Sequence, residues 1–260
     1  MLSKNKVSEI VALHQKKFRQ STGLFIVEGE KIIDELLTSS WEIIDLYATN
    51  ELYEKYKSSY PKLQLAAPYL FAKISSLKTP SGILAVVKQN LFDVEKVTVK
   101  NKFTLCLDGI RDPGNLGTII RIADWFGIQN IVCSDDTVDV FNTKTIQATM
   151  GSFLRVNVMY TSLLLFLENA VQQNVPVFGA VLKGENVYQQ NKVRQGVIVM
   201  GSESHGISND ILKVITTPIT IPSKLLSSTQ NESSTAIDSL NVAIATSVIC
   251  ALFAGQMDGE

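Results

Sequence analysis

The sequence predicts an α/β protein of two domains, the second of them built on a parallel sheet. The chain has 260 residues, which exceeds the usual size of a single domain. Apolar runs of strand length alternate with helical patterns along nearly the whole chain. The patterning weakens at residues 91–102, LFDVEKVTVKNK, and restarts more strongly after them. We therefore expect one domain at residues 1–95 and another at residues 96–260.

The first domain reads as a small unit of alternating helices and strands. In residues 7–19 the apolar positions recur at helical spacing, which predicts one helix. The elements expected after it are a strand at 23–29, a helix at 30–39, a strand at 43–49, a helix at 51–60, a strand or turn at 63–68, and then a helix, a turn at 80–82 and a final strand before residue 90.

In the second domain the alternation is more regular. Residues 103–110, FTLCLDGI, form a near-continuous apolar run, as expected of a strand that is buried on both faces. Further strands are expected at 128–136, 155–160, 176–182, 193–203 and 216–222, with helices at 118–127, 143–151, 162–174 and from 239 onward. Parallel α/β architecture is the class that fits this order.

Composition and charge limit the possible classes. The chain is 45% hydrophobic and 19% charged, which is typical of a globular protein rather than a disordered one. Its formal net charge is −1, so a nucleic-acid contact must come from a local patch. The first 31 residues hold six basic side chains against three acidic ones. This excess fits a solvated face as well as it fits an RNA contact.

The cysteines and the apolar segments predict a cytoplasmic protein. Cys106, Cys133 and Cys250 lie far apart and form no C-x-x-C pair, so we expect buried free thiols in a reducing compartment. The N-terminal sequence lacks the apolar core of a signal peptide. The most apolar helical stretch, residues 239–254, is short for a membrane span, so no membrane contact is expected.

The first candidate site is the turn RDPGNLG at residues 111–117. Its proline and glycine favour a turn, and Asn115 is expected to cap the helix that follows. Arg121 lies on this helix opposite its apolar face, where a cation can meet a phosphate near the helix start. The alternative is an ordinary strand–helix turn in which Arg121 pairs with Asp124.

The second and third candidate sites also follow predicted strands. In GSESHG, residues 201–206, two glycines flank Glu203, which suits a ligand loop or a plain connection. His205 lacks a paired carboxylate pattern and is interpreted as incidental. Ser239 is expected to cap the last helix. Asn241 follows it in apolar surroundings, where a buried amide needs partners and would act as a structural clamp or as a ligand contact.

Taken together, these motifs resemble the three signature motifs of the SpoU (TrmH-like) RNA methyltransferases, which belong to the SPOUT superfamily. The matching elements are N-x-G-x-x-x-R at 115–121, G-x-E-x-x-G at 201–206 and I-P followed by S-L-N between 221 and 241. Residues 150–156, with M-G-S-x-x-R-V, resemble the family's linking segment. Residues 16–31 resemble the substrate-binding domain of many members, which has a fold like that of small ribosomal RNA-binding proteins.

The resemblance implies a small α/β RNA-binding domain followed by a parallel-sheet α/β domain with a trefoil knot, a topology that periodicity cannot reveal. It implies a homodimer and the transfer of a methyl group from S-adenosylmethionine to a ribose 2′-hydroxyl. Ribosomal RNA is favoured as the substrate because of the N-terminal domain. A transfer-RNA methyltransferase and a non-catalytic ribosomal-RNA-binding member are the alternatives. A dinucleotide-binding Rossmann enzyme is disfavoured because GIRDPGNLG lacks the G-x-G-x-x-G spacing.

The resemblance also implies roles for individual residues and no metal. The implied catalytic residues are Arg121, Asn115, Glu203, Ser239 and Asn241. The implied cofactor contacts are Gly201, Ile221, Leu240, Asn241 and Leu182, and the RNA contacts are Lys16, Lys17, Arg19, Lys31 and Arg111. Arg121 keeps its proton at ordinary pH, so we expect it to hold a phosphate and the developing alkoxide, with Glu203 acting on the proton. One departure from the family is the long, serine- and threonine-rich link at 224–236, which would border the cofactor pocket.

Overall fold

The structure is a computed structural model that describes residues 2–191, 193–223 and 239–253. The long link at 224–236 lies outside the described residues. The chain divides into two compact units, the first comprising residues 1–91 and 139–154 and the second residues 92–138 and 155–260. Residues 139–154 therefore pack with the first unit although they follow the first strands of the second.

The helices and strands follow the predicted alternation closely. In chain order they are α1 (Lys4–Ala12), α2 (Lys16–Thr22), β1 (Leu24–Glu28), α3 (Glu30–Thr38), β2 (Ile43–Ala48), α4 (Asn50–Tyr56), β3 (Gln64–Leu65), α5 (Pro68–Ile74), β4 (Ile83–Lys88), β5 (Phe103–Asp108), α6 (Pro113–Trp125), β6 (Asn130–Cys133), α7 (Thr143–Thr149), β7 (Asn157–Tyr160), α8 (Leu163–Gln172), β8 (Val177–Asn186), β9 (Gly196–Gly201), α9 (Asn209–Leu212), β10 (Thr217–Thr220) and α10 (Val242–Phe253).

The first unit contains a four-stranded sheet in the order β1-β4-β2-β3. Both β1 and β2 run antiparallel to β4, while β3 runs parallel to β2. The carboxyl ends of β1, β2 and β3 therefore share one edge of the sheet with the start of β4. We call this the carboxyl edge of the first sheet.

One predicted element of the first unit is wrong: the single helix over residues 7–19 is two helices, α1 and α2. The break coincides with the buried side chain of Arg19, whose Nη1 donates to the carbonyl oxygens of Leu13 at 2.9 Å and His14 at 3.0 Å. In a continuous helix these carbonyl oxygens would accept from backbone N–H groups four residues later. Here they accept from the guanidinium instead. Gly23, with φ of +66°, then ends α2 in the left-handed conformation and lets β1 begin.

An aromatic cluster explains why residues 139–154 belong to the first unit. Phe25 of β1 contacts Trp41, Phe141 and Phe153, with ring centroids 4.7–5.9 Å apart. All four side chains are buried. Arg19 adds a buried ion pair to the same segment, since its Nη2 lies 2.6 Å from Asp139 Oδ2.

The second unit contains a six-stranded, entirely parallel sheet in the order β10-β8-β9-β5-β6-β7, which confirms the predicted class. Because β5 and β9 are central, their side chains are buried on both faces, as the apolar run at 103–110 predicted. Cys106 of β5, Cys133 of β6 and Cys250 of α10 are free and buried, which confirms the expected buried thiols. The trefoil knot stays a prediction.

Within the described ranges, every helix is too short or too polar to cross a bilayer.

Candidate functional site

The three predicted loops converge at the carboxyl edge of the parallel sheet. Neighbouring strands β10, β8, β9 and β5 all run in the same direction, so the loops that follow them leave the sheet on one side. The loop after β5 leads into α6, the loop after β9 holds Glu203, and the chain after β10 leads toward α10. This edge is where ligands bind in open parallel sheets.

The loop after β5 positions Asn115 by a different cap from the predicted one. Helix α6 begins at Pro113, and Asp112 is its N-cap, with Oδ1 accepting from the Asn115 N–H at 2.8 Å. Proline at the first helical position has its backbone angle already set, which moves the helix start three residues earlier. The prediction that Asn115 caps this helix is therefore wrong. Its side-chain amide is instead directed to Glu203, with Nδ2 3.3 Å from Oε1.

The loop after β9 is a tight turn that presents Glu203. Ser202 and Gly206 exchange backbone hydrogen bonds of 3.0 Å and 2.8 Å, which close the turn around residues 203–205. A side chain on Gly201 would place its Cβ 2.1 Å from the carbonyl carbon of Gly206, so only glycine fits there. Asp108, at the end of β5, braces the same loop because its Oδ2 accepts from the Ser208 N–H at 2.7 Å.

The start of α10 is organised by Asn241 rather than by Ser239. Asn241 Oδ1 accepts from the N–H groups of Ala243 at 3.0 Å and Ile244 at 3.3 Å, which is the geometry of an N-cap. The predicted cap at Ser239 is therefore wrong, and this residue is exposed. Asn241 is also exposed, not buried as expected.

Glu203 joins all three loops through one oxygen. Its Oε1 accepts from Asn241 Nδ2 at 2.6 Å, from Asn115 Nδ2 at 3.3 Å and from the Val242 N–H at 3.3 Å. The two amides also bond to each other, with Asn241 Nδ2 2.9 Å from Asn115 Oδ1. We call Asn115, Glu203 and Asn241 the polar clamp. Residues from three separate parts of the sequence are thus held in one hydrogen-bonded cluster.

Arg121 lies on α6 and is exposed. The alternative in which it pairs with Asp124 is wrong, because Asp124 binds Arg155, whose Nη2 lies 2.8 Å from Oδ2. Among the residues that the structure describes, no carboxylate pairs with Arg121. Its guanidinium is therefore available to an external anion.

Three of the predicted cofactor contacts are apolar side chains that lie within β8, just after β10 and just before Asn241. Leu182 is 72% exposed and Leu240 is 48% exposed, which is high for leucine, and Ile221 is partly buried. The pairing of β10 with β8 shifts its register between Pro218 and Ile219. Thr220 Oγ1 donates to the Leu182 carbonyl at 3.1 Å across this irregularity. The edge thus offers irregular backbone and uncovered apolar surface together.

The predicted RNA contacts fall into two groups. Lys16, Lys17 and Lys31 are exposed in the first unit, and Arg111 is exposed in the second, with Nη2 3.6 Å from Asp136 Oδ2. Arg19 is only 1% exposed and its guanidinium is engaged by Asp139 and two carbonyls, so RNA cannot reach it. The prediction for Arg19 is therefore wrong.

Sequence reasoning missed Asp108 and Asp112. Asp112 carried a recognisable signal, since an aspartate before a proline is a common helix start. Asp108 carried none, because its partner Ser208 is one hundred positions away. Within the described part of the chain, no three His, Cys, Asp or Glu side chains cluster as metal ligands would.

Residues 102–251 match the family model described as the SpoU rRNA Methylase family, and residues 4–85 match the MRM3-like substrate binding domain. The chain is 28% identical over 246 residues to the 23S rRNA (guanosine(2553)-2′-O)-methyltransferase RlmP of Bacillus subtilis, covering 94% of each protein. A solved structure from Porphyromonas gingivalis, assigned to the TrmH family of RNA methyltransferases, is 32% identical with a TM-score of 0.84, covering 97% of this chain and 98% of that one. The AdoMet-bound rRNA methyltransferase of Sinorhizobium meliloti is 27% identical with a TM-score of 0.81, covering 100% and 97%.

Proposed function

Because the chain belongs to the SpoU rRNA methylase family, we propose that it transfers the methyl group of S-adenosylmethionine to a ribose 2′-hydroxyl of ribosomal RNA. The observation that carries the proposal is the polar clamp, which joins the three family motifs at one edge of the sheet. The similarity to RlmP, over nearly the full length of both chains, supports ribosomal RNA as the substrate.

The apolar residues implied as cofactor contacts suit S-adenosylmethionine. Leu182, Ile221 and Leu240 supply apolar surface for an adenine ring, and the backbone after β8, β9 and β10 supplies polar groups. Gly201 lets the loop after β9 fold tightly at this edge. When bound, the cofactor supplies a methyl group on a positively charged sulfur, which is already reactive.

The protein must then place the hydroxyl and assist the loss of its proton. Arg121 keeps its own proton at ordinary pH, so we assign it to holding the target phosphate and stabilising the developing alkoxide. Glu203 is the carboxylate assigned to the proton. Its Oε1 accepts from the two amides of the clamp and from the Val242 N–H, and within the described residues Oε2 has no hydrogen-bond partner. That second oxygen can accept the ribose proton while the first keeps the loop in place. Ser239, which is exposed next to the clamp, is assigned to orienting the ribose.

RNA would be held by basic side chains of both units. Lys16, Lys17 and Lys31 are exposed in the first unit, and Arg111 is exposed in the loop before α6. These side chains are assigned to the phosphate backbone, which carries no base identity. The nucleotide that is methylated is therefore selected by other contacts.

A cytoplasmic homodimer completes the proposal. Helix α10 leaves Ile244 56% exposed in a mostly apolar helix, which supports burial against a second copy. Light scattering after size-exclusion chromatography, on wild type and Ile244→Glu, tests the dimer. We expect wild type at twice the chain mass and the variant shifted toward one chain mass. A monomeric wild type would contradict the dimer.

Methyl transfer is tested with radiolabelled S-adenosylmethionine and ribosomal RNA from cells that lack the gene. We expect label in ribosomal RNA but not in transfer RNA from the same cells. A 2′-O-methyl group protects the adjacent phosphodiester from alkali, so the labelled position is mapped as a gap in the alkaline ladder. Label in an alkali-sensitive position would indicate base methylation and overturn the proposal.

The residue roles are tested by single-turnover kinetics. Arg121→Ala should lower the rate at saturating RNA by at least about 100-fold, a loss typical of removing a charge-stabilising group, and Arg121→Lys should restore part of it. Glu203→Gln should lower the rate, while affinity for the cofactor changes little. Wild-type rates for Arg121→Ala with intact RNA binding would reject the first role. A wild-type rate for Glu203→Gln would reject the second.

A further inference from the structure

The lysines of the first unit fall into two classes. Four of them pair with carboxylates, namely Lys6, Lys55, Lys57 and Lys88. Eight others are exposed and, as far as residues 2–191, 193–223 and 239–253 show, have no carboxylate partner: Lys4, Lys16, Lys17, Lys31, Lys62, Lys73, Lys78 and Lys144. Five of these eight, Lys16, Lys17, Lys31, Lys73 and Lys78, belong to segments that meet near the end of β1. Exposed lysines without a carboxylate partner retain their full positive charge for an external anion.

A hydrogen bond joins the segment that carries Lys16 and Lys17 to the segment that carries Lys73. His14 Nε2 donates to the carbonyl oxygen of Ile74 at 2.9 Å. Lys16 and Lys17 follow His14 at the start of α2, and Lys73 immediately precedes Ile74 at the end of α5. Ile74 directly precedes Ser75, which binds Glu28 at the end of β1, so His14 lies toward the carboxyl edge of the first sheet.

A buried carboxylate fixes the segment that carries Lys78. Glu28, the last residue of β1, is only 2% exposed. It accepts from Ser75 Oγ at 2.5 Å, from the Ser76 N–H at 2.9 Å and from Ser76 Oγ at 3.1 Å. A buried carboxylate is stabilised only when such donors satisfy it. The loop after α5 is therefore tied to the end of β1, where α3 begins and Lys31 projects.

Two acidic side chains near this edge are already engaged. Glu30 binds Lys55 Nζ at 2.6 Å, and Asp34 accepts from Tyr56 Oη at 2.6 Å. Lys73 also lies over the ring of Tyr69, with Nζ 5.9 Å from the centroid, and Tyr69 is 66% exposed. An exposed aromatic ring next to a lysine suits an unpaired base stacked beside its phosphate.

We propose that Lys16, Lys17, Lys31, Lys73 and Lys78, with Tyr69, form one binding surface for a single-stranded segment of the RNA substrate, and that Glu28 is its positioning residue. We call this the lysine surface. Its lysines neutralise backbone phosphates, and Tyr69 stacks on a base. Glu28 acts through Ser75 and Ser76 by holding Lys78 in line with the other lysines. The lysine surface rests on the proposed function because it assumes an RNA substrate.

The test measures how the affinity for RNA depends on salt. The probe is ribosomal RNA stripped of protein, titrated with the full chain between about 0.1 and about 0.3 M salt. Each phosphate contact with a single strand contributes about 0.7 to the slope of log affinity against log salt. The double variants Lys16→Gln/Lys17→Gln and Lys73→Gln/Lys78→Gln should each lower that slope by about 1.4. With equal affinities at about 1 M salt, this corresponds to about 25-fold weaker binding at about 0.1 M salt.

The matched control is Lys57→Gln/Lys88→Gln, which removes the same total charge from lysines that are paired with Glu54 and Glu42. We expect the salt slope of this control to equal that of wild type. Its affinity for RNA should fall by less than about twofold, because lysines in exposed ion pairs contribute little net free energy. Equal losses in the control and in the two test variants would show a general charge effect and would overturn the lysine surface.

Glu28 is tested by a double-mutant cycle. In the wild-type background, Glu28→Gln should lower the salt slope by about 0.7, the value of one phosphate contact. In the Lys73→Gln/Lys78→Gln background the same substitution should leave the slope nearly unchanged, because Lys78, the lysine that Glu28 positions, is already absent. Ser75→Ala/Ser76→Ala, which removes the two hydroxyl donors and keeps the carboxylate, should give the same pattern and serves if Glu28→Gln fails to fold. A lower melting temperature with an unchanged slope in both would show that Glu28 is merely structural.

The lysine surface and the proposed function fail in different ways. Wild-type protein that binds RNA with a steep salt slope but transfers no methyl group would overturn the activity and leave the surface intact. Methyl transfer by wild type together with wild-type binding by the lysine variants would overturn the surface and leave the activity intact.

Discussion

Glu203 Oε1 accepts a hydrogen bond from Asn241 Nδ2 at 2.6 Å, across 38 positions of sequence. The side chain of Asn241 also caps α10, because its Oδ1 accepts from the N–H groups of Ala243 and Ile244. Asn241 therefore uses both ends of its amide, one on the helix and one on the carboxylate. Because Glu203 is bound to Asn115 as well, a change at Asn241 should be felt at all three loops.

Replacing Asn241 with aspartate separates its two functions. Asn241→Asp keeps the acceptor that caps α10 but loses the donor to Glu203 and places a second carboxylate beside it. Two adjacent carboxylates resist ionising together, so the pKa of the pair in the variant is raised. The variant is therefore least stable where both groups are ionised. Its deficit in melting temperature should grow as pH rises from about 5 to about 8.

The control for this prediction is Asn241→Ala, which loses the cap and the donor but adds no charge. Its cost should be about 1–2 kcal/mol, as for a lost helix cap with a hydrogen bond, and should stay constant with pH. Thermal unfolding of both variants and wild type across this range provides the comparison. A deficit for Asn241→Asp that does not change with pH would mean that the two side chains are not in contact.

The buried pair of Arg19 and Asp139 should be costly to break. Arg19 Nη2 lies 2.6 Å from Asp139 Oδ2, and their side chains are 2% and 14% exposed. Removing one partner of a buried pair leaves an uncompensated charge, which costs about 3–5 kcal/mol. Arg19→Met should therefore destabilise the first unit by about this amount, and the exposed pair removed by Lys88→Gln should cost less than about 1 kcal/mol.

The measurement uses tryptophan fluorescence during urea unfolding. The chain has two tryptophans, of which Trp41 is buried in the first unit and Trp125 is 84% exposed in the second. In a Trp125→Phe background the signal reports the first unit alone. Equal unfolding midpoints for Arg19→Met and Lys88→Gln would show that the Arg19 pair does not stabilise this unit.

The fold was predictable where the signal is local. The strand–helix alternation and the three motifs depend on neighbouring residues, and the structure has the predicted elements nearly throughout. Residues 139–154 differ because their placement depends on distant partners. Phe141 and Phe153 are apolar enough for either unit, and their contacts with Phe25 and Trp41 decide the question only in three dimensions. The same holds for Arg19, since nothing near it in sequence indicates Asp139.

The site was predictable in its members but not in its contacts. The motifs indicated Asn115, Glu203 and Asn241, yet not that one carboxylate oxygen would bind both amides. Both helix caps were assigned to the wrong residue. Asp112 was overlooked because several residues of the turn can cap a helix, and Asn241 was taken for a buried residue because its sequence neighbours are apolar.

The buried thiols should be unreactive in the folded protein. Burial raises the pKa of Cys250 to about 12 and raises those of Cys106 and Cys133 as well. A raised pKa leaves the neutral thiol at pH near 8, and only the thiolate reacts. We expect Ellman's reagent at that pH to detect less than about a tenth of the cysteines within minutes, and all three after denaturation. Rapid modification of the folded protein would contradict the burial of the modified residue.

Gly201 should be the position of the site least tolerant of a methyl group. A Cβ there would lie 2.1 Å from the carbonyl carbon of Gly206 and 2.3 Å from the Ile207 nitrogen, and both are backbone atoms that cannot move without opening the turn. Opening the turn would shift Glu203 away from the two amides. Gly201→Ala should therefore weaken binding of S-adenosylmethionine by at least about tenfold, which corresponds to about 1.4 kcal/mol.

Gly127→Ala is the matched control for this substitution. Gly127 has φ of +68° and open space around its Cβ position, so alanine there is strained but collides with nothing. The left-handed conformation of an alanine at this position should lower the free energy of unfolding by about 1–2 kcal/mol. The substitution therefore matches Gly201→Ala as a local destabilisation but leaves the polar clamp unchanged. Calorimetric titration with S-adenosylmethionine and urea unfolding of both variants separate the two effects. If Gly201→Ala binds the cofactor as tightly as Gly127→Ala does, the turn after β9 does not border the cofactor. The polar clamp would then have to act on the RNA alone.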